Sequence, residues 1–275
     1  MSTLTEIQQY YDASVASRLG DFIDGNPRIE AAWKTVEHWA GESPHRILEI
    51  GCGIGDISWR MSLQWPDATV VGLDISPKEL ETARILFGCP KISFVEGPLT
   101  KNLLKEKFDL IVLMDVYEHI QSIDRAVLHE ALKELLSDDC RVILTIPTPR
   151  HLEVLKREAP HLIQPVDEKV FPETILSLVN DLDQELLLYR EVDVWHKGDY
   201  FHAVIGRRHG WIDAREMFIP IRKKIRRLVG NIYKKLTGRS HLIVKFRKSI
   251  TLPNRTQRSA LVRDKLNIVH TTEKL

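Results

Sequence analysis

Apolar and polar positions fall into two alternating periods along most of the chain. Short, nearly unbroken apolar runs cover residues 46–50, 68–74, 91–96, 108–114 and 141–146, the pattern of strands buried on both faces. Between them, residues 57–65, 76–87 and 123–136 read as helices. Strands and helices taking turns predict a mostly parallel sheet covered by helices. Ahead of this block, residues 4–20 predict one helix, with Ile7, Tyr10, Tyr11, Val15 and Leu19 near a single stripe. Asn26-Pro27 opens another, because asparagine caps free amides and proline fits the first helical position. Ala31, Ala32, Val36 and Trp39 carry that helix to Gly41. Ser76-Pro77-Lys78-Glu79 is a capping-box pattern of the same kind. Residues 148–184 form an insertion with two helical pieces, 152–158 and 172–182. Residues 185–195 and 199–208 then alternate like paired strands across a tight Lys197-Gly198 turn.

The first apolar run ends in Gly51-Cys52-Gly53-Ile54-Gly55-Asp56, with glycine at every second position before a helix. Glycine lacks a Cβ and tolerates positive φ, so such a loop lets backbone approach a ligand closely. The second run ends in Asp74, where doubly wound nucleotide-binding folds place the acid that grips ribose hydroxyls. This turn suits NAD or S-adenosylmethionine. The wider G-x-G-x-x-G spacing is absent and Glu49 precedes the glycines inside the strand, which favours the second.

With Glu49, Gly51, Gly53 and Gly55 in place, the stretch resembles the class I S-adenosylmethionine-dependent methyltransferases, whose first motif reads E-x-G-x-G-x-G. The resemblance is strong over about residues 45–150 and moderate to 208. It implies an α/β, Rossmann-like, doubly wound sheet of seven strands closed by an antiparallel hairpin. Residues 1–208 would form the methyltransferase domain, with an N-terminal helical lid over 1–41, and residues 209–275 a basic extension. It also implies Asp74 on the ribose, the 51–55 loop beneath the methionine part, and Ile75, Gly97 and Met114 beside the cofactor. Relatives usually carry an acid just past the third strand for the adenine amino group. Here Glu96-Gly97-Pro98-Leu99 has proline where aspartate is common, so either Glu96 serves or backbone and apolar contacts hold the ring. Tyr10, Tyr11 and Arg18 of the lid can reach cofactor or substrate, or the aromatics can simply pack the helix down.

Methyl transfer is an in-line displacement at a sulfonium carbon, so the protein chiefly positions the acceptor and, for a hydroxyl, removes a proton. Asp115 to His119 follow the fourth strand, where the carboxyl ends of strands line the ligand crevice. His119 is the candidate base because imidazole titrates near neutrality; the alternative is that Glu118 and His119 brace the loop. Asp115, Glu118 and His119 spell D-x-x-E-H, similar to the E-x-x-E-H of ubiquinone-pathway O-methyltransferases and small-RNA 3′-end methyltransferases. There the cluster helps bind a divalent metal ion, a secondary expectation here. His151, His161, Gln164, Asp167 and Glu168 of the insertion, with His196 and His202 flanking the hairpin turn, suggest a polar acceptor pocket. There is no Asn-Pro-Pro-Tyr after the fourth strand, no Lys-Asp-Lys-Glu set and no Pro-Cys dipeptide. These absences argue against adenine-amino, ribose and cytosine-C5 methylation.

Composition adds location and partners. Three cysteines without metal-ligand spacing predict a reduced, cytoplasmic protein. No basic-then-apolar leader and no apolar run of membrane-spanning length is expected. The net charge of +1 hides a division: residues 209–275 carry 17 Lys and Arg against 4 Asp and Glu, leaving 22 against 34 for residues 1–208. Within the extension, Ile221, Ile225, Leu228, Val229, Ile232 and Leu236 make one apolar stripe among bases. Residues 218–236 therefore suit an anionic membrane surface or a protein dock, and nucleic acid less well. The expected reaction is O-methylation of a sugar or another polyhydroxylated small molecule, a carbohydrate-type acceptor. The alternatives are an RNA methyltransferase using the basic tail and a non-catalytic protein that binds S-adenosylmethionine.

Overall fold

The computed structural model describes residues 3–41, 43–207 and 250–266; the stripe expected over 218–236 lies outside them. Residues 3–207 and 251–266 belong to one compact unit. Seven strands form one sheet: β1 (Arg46–Ile50), β2 (Thr69–Asp74), β3 (Ile92–Glu96), β4 (Phe108–Met114), β5 (Leu136–Pro147), β6 (Glu185–Val192) and β7 (Tyr200–Gly206). Their order is β3-β2-β1-β4-β5-β7-β6. The first five run parallel, β7 lies antiparallel to β5, and β6 antiparallel to β7. This is the doubly wound sheet with a closing hairpin that the sequence predicts.

Strand periodicity divides the core. Leu48 and Ile50, Ile111 and Leu113, and Val142, Leu144 and Ile146 share one core cluster with α6 (Arg125–Leu135) and α8 (Pro172–Asp181). The intervening Ile47, Leu110, Val112 and Ile143 are buried toward the other face. Against the sheet pack α3 (Pro27–Trp39), α4 (Asp56–Gln64) and α5 (Pro77–Phe87). Burial on both faces explains why these central strands read as continuous apolar runs. Ile50 stands in register with both Leu73 and Leu113, so the carboxyl ends of β1, β2 and β4 open together at the point where strand order reverses.

The caps fall where the sequence puts them: Asn26 accepts from the Arg28 amide and Ser76 from the Glu79 amide. Other expectations need correction. The single N-terminal helix is two, α1 (Leu4–Asp12) and α2 (Val15–Asp24), broken where Ser14 turns its hydroxyl back onto the Tyr10 carbonyl. β5 begins five residues earlier than the apolar run over 141–146 suggests, with Leu136 already opposite Phe108 before a bulge. The hairpin connection is not a two-residue turn. Asp199 folds a longer loop by accepting from the amides of Val194, Trp195 and His196. The insertion carries α7 (Pro149–Glu158) ahead of α8.

Residues 255–266, assigned to the extension on sequence, form a last helix, α9 (Arg255–Leu266). Its Val262 is buried in a cluster with Phe22, Ile54, Leu86 and Phe87, against α2 and α5. Among the described residues no helix is long and apolar enough to cross a membrane.

Candidate active site

At the carboxyl ends of β1, β2 and β4 lies a cavity of about 430 Å³, a size that suits a nucleoside carrying an amino-acid chain. Glu49, Gly51, Gly53, Asp74, Ile75, Gly97, Met114, Asp115, His119 and Tyr11 all line it. These residues, singled out on sequence, thus meet at one cavity. Gly51 has φ +72 and its missing Cβ would strike Val116, so the loop can pass only as glycine. Gly55 does not touch the cavity; at φ +81 it starts α4 beneath Phe94.

Asp74 is 8% exposed and oriented by two amides, Gly53 donating to one carboxylate oxygen (2.8 Å) and Ser76 to the other (2.9 Å). Burial raises its pKa against those bonds. Glu49 receives the Ser58 hydroxyl at 2.5 Å, and burial holds its pKa well above the carboxylate range. Glu96 is exposed at the end of β3 and does not line the cavity; Gly97, Pro98, Leu99 and Thr100 do. The apolar and backbone alternative for that side is the one this arrangement favours.

α1 and α2 border the cavity and are held there by specific bonds. Ser76 donates to Asp12 (2.6 Å), Gln8 to the Ile75 carbonyl (3.0 Å), and Tyr11 to Gln164 of the insertion (2.8 Å). Arg18 lies 3.6 Å from Glu79, a buried acid of α5 whose pKa is pushed up to about 7 by burial. Tyr10 stays half-exposed, edge-on to Tyr11, away from the cavity.

The residues after β4 supply a further part of the lining. Asp115, at φ 54, ion-pairs with Arg28 and accepts from the Thr145 hydroxyl (3.3 Å). Burial opposes the Arg28 charge, but Asp115, Tyr200 and Glu118 outweigh it and raise its pKa. His119 Nδ1 donates to the Val166 carbonyl (2.7 Å) and lies 3.0 Å from Asp167, while Nε2 is 3.7 Å from Glu118. Burial again opposes the charge; Glu118, Asp167 and Val166 overcome it and raise the imidazole pKa. Glu118 is buried and does not line the cavity, and burial chiefly pushes its pKa up to about 8. Among the described residues no group of three or more His, Cys, Asp or Glu is arranged to hold a metal ion. Asp115 of the D-x-x-E-H cluster is paired with a guanidinium instead.

Of the insertion's polar residues, Gln164 and Asp167 reach the cavity wall through Tyr11 and His119. Glu168 instead pairs with Arg125 (3.2 Å), and His161 is exposed. His151 and His196 gather with Trp195 and Tyr200 beside the hairpin loop. His202 does not reach the mouth. It is buried under α3, hydrogen-bonded through Nδ1 to Thr35 (2.7 Å), because even-numbered β7 residues here face that helix. Arg28 and Glu79 are missed on sequence. The available signal for Arg28 is its position in the first turn of α3, where a cation opposes the helix dipole and needs a compensating acid.

The fold defines an α/β Rossmann-like methyltransferase architecture. Residues 47–139 match a methyltransferase-domain family. Among curated relatives, a malonyl-[acyl-carrier protein] O-methyltransferase of Acetivibrio thermocellus is 28% identical over 92 residues, 34% of this chain and 32% of that one. A ubiquinone biosynthesis O-methyltransferase of Pelagibacter ubique is 36% identical over 81 residues, 29% of this chain and 33% of that one. The aligned stretch thus spans about a third of these relatives' length. A solved TehB-like SAM-dependent methyltransferase from Corynebacterium glutamicum superposes with a TM-score of 0.54 at 20% identity, covering 73% of this chain and 100% of that one. The matches therefore place a methyltransferase-like domain over residues 47–139.

Proposed function

We propose that the chain is an S-adenosylmethionine-dependent O-methyltransferase for a small, oxygen-rich acceptor, a sugar or another polyhydroxylated metabolite being the class expected. The observation that carries this reading is the cavity in which the Gly51 loop, Asp74 and the Met114–His119 segment meet under α1 and α2. Asp74 would accept from the ribose hydroxyls, and Gly51 and Gly53 would border the methionine part. Ile75, Gly97 and Leu99 would enclose the adenine. The bound cofactor supplies an electrophilic methyl group and a good thioether leaving group. Tyr11, Arg28 and His119 then face the acceptor and orient it while the lid excludes water. Two relatives are O-methyltransferases by name, one of malonyl-[acyl-carrier protein] and one of ubiquinone biosynthesis, which supports O-methylation.

Calorimetry tests the reading directly. S-adenosylmethionine should bind the full chain, and Asp74→Ala should weaken it roughly tenfold or more through loss of charge-assisted hydrogen bonds. Unchanged affinity in Asp74→Ala would remove the ribose assignment, and preferential NADH binding would remove the whole proposal.

A further inference from the structure

Arg28 and His119 both line the cavity, and both have unused hydrogen-bonding capacity. Arg28 has five N–H donors. One nitrogen pairs with Asp115, and Nε is buried without a partner. His119 is surrounded by three oxygens, from Val166, Asp167 and Glu118. Its Nδ1 proton is committed to a carbonyl that can only accept, and Asp167, 3.0 Å from the same nitrogen, favours the imidazolium. Tyr11 gives its proton to Gln164. With its ring charged, His119 joins Arg28 as a donor, and neither takes a proton from a hydroxyl acceptor. An acceptor that is already an anion needs no base.

We propose that the acceptor of this site is a carboxylic acid, its carboxylate seated between Arg28 and His119 and itself the nucleophile. The inference rests on the methyltransferase reading and narrows it from an oxygen-rich acceptor to an oxygen-rich acid. A carboxylate oxygen forms the new O–CH3 bond as the S–CH3 bond breaks. The bonding pair leaves on sulfur, and no proton is transferred. The anion and the sulfonium charge cancel, giving a neutral ester and a neutral thioether. The guanidinium fork fits a planar carboxylate bidentately. Asp115 beside it neutralises part of the cation, which suits a single negative charge better than a phosphate dianion.

The test uses full-length protein loaded with S-adenosylhomocysteine and titrated with malonate, glutarate and citrate, with glucose, glycerol and inorganic phosphate as comparisons. We expect the carboxylates to bind and the neutral polyols and phosphate not to. Arg28→Gln and Arg28→Lys should each weaken carboxylate binding at least tenfold, with S-adenosylmethionine affinity within about threefold of wild type. The lysine variant keeps the charge opposite Asp115, so its melting temperature should stay near wild type and separates loss of recognition from loss of fold. Incubation with methyl-tritiated cofactor and the acids should give label that alkali releases as volatile methanol. The proposal is overturned if carboxylates do not bind, if phosphate binds in their place, if both variants bind them as wild type does, or if the label is an alkali-stable ether. It is also overturned if Arg28→Lys loses cofactor affinity instead, since Arg28 would then hold the methionine carboxylate. Failure of wild type to bind S-adenosylmethionine at all would instead remove the methyltransferase reading.

Discussion

The Ser76 hydroxyl joins two elements at once: it caps α5 by accepting from the Glu79 amide (3.1 Å) and donates to Asp12 of α1 at 2.6 Å. Asp12 also accepts from the Lys78 amide (3.2 Å), so the first helix of the lid is fastened to the first turn of the helix behind Asp74. An acid there is further favoured by the helix dipole.

The two residues of this latch should separate in their effects. Asp12→Ala removes only the fastening and should speed cofactor release several-fold with little change in melting temperature. Ser76→Ala removes the cap as well and should add about 1 kcal/mol of destabilisation. Stopped-flow release and thermal melts measure both; equal release rates in wild type and Asp12→Ala would show that α1 is not held by this bond.

His119 gives a test of sign in its pH profile. Its folded pKa is raised, so the ring stays charged above the ordinary histidine range and loses its proton as pH rises through the raised value. If the imidazolium holds an anionic acceptor, kcat/KM should be full at lower pH and fall over that window. A general base would instead give a limb rising with pH. His119→Gln should abolish the limb and lower kcat/KM roughly ten- to a hundredfold, the worth of a hydrogen bond to a charged group. Asp167→Asn removes one raising partner and should move the limb to lower pH.

How much of this was legible in the sequence follows from how local each cause is. Apolar runs, glycines needing positive φ and caps such as Asn26 and Ser76 act within a few residues, and these elements stand where the pattern puts them. Arg28 and Asp115 meet across 87 positions of sequence, and nothing adjacent to either specifies the other. His202 sits in an alternating strand as a polar letter among apolar ones; only the fold reveals Thr35 opposite it. The last helix is mostly polar, with Val262 its one buried residue, so periodicity barely marks its buried side.

His202 should govern part of the acid stability. Burial, with a smaller effect from Arg190, pushes its pKa down to about 4, whereas the unfolded ring titrates near the ordinary histidine value of about 6.5. The unfolded chain therefore binds an extra proton between those values. Stability from this group is present above pH 6.5 and is lost as pH falls toward 4, by on the order of 3 kcal/mol. Denaturant melts from pH 7 to 4.5 should show a shallower decline for His202→Gln than for wild type, even if the variant is less stable at neutral pH. Parallel curves would assign the acid sensitivity elsewhere.

The final helix offers a contrast between a buried contact and an exposed ion pair on the same element. Val262 is 4% exposed and packs with Phe22 and Phe87, and Arg258 lies 5.8 Å over the Phe22 ring. Arg255 pairs with Asp24 at 2.6 Å, but both side chains are more than half exposed. Full burial of a valine contributes about 1.5–2 kcal/mol, whereas an exposed pair contributes about 0–1 kcal/mol after screening and side-chain ordering. Phe22 belongs to α2, which also carries Arg18 and Asp21 of the cavity wall. Val262→Asp should therefore undock α9, raise hydrogen exchange across α2 and weaken cofactor binding, while the amides of β1 and β4 stay protected. Arg255→Ala should leave all three nearly unchanged. If Val262→Asp left α2 exchange and cofactor affinity at wild-type levels, the helix would be a passenger on the domain and not a support for its lid.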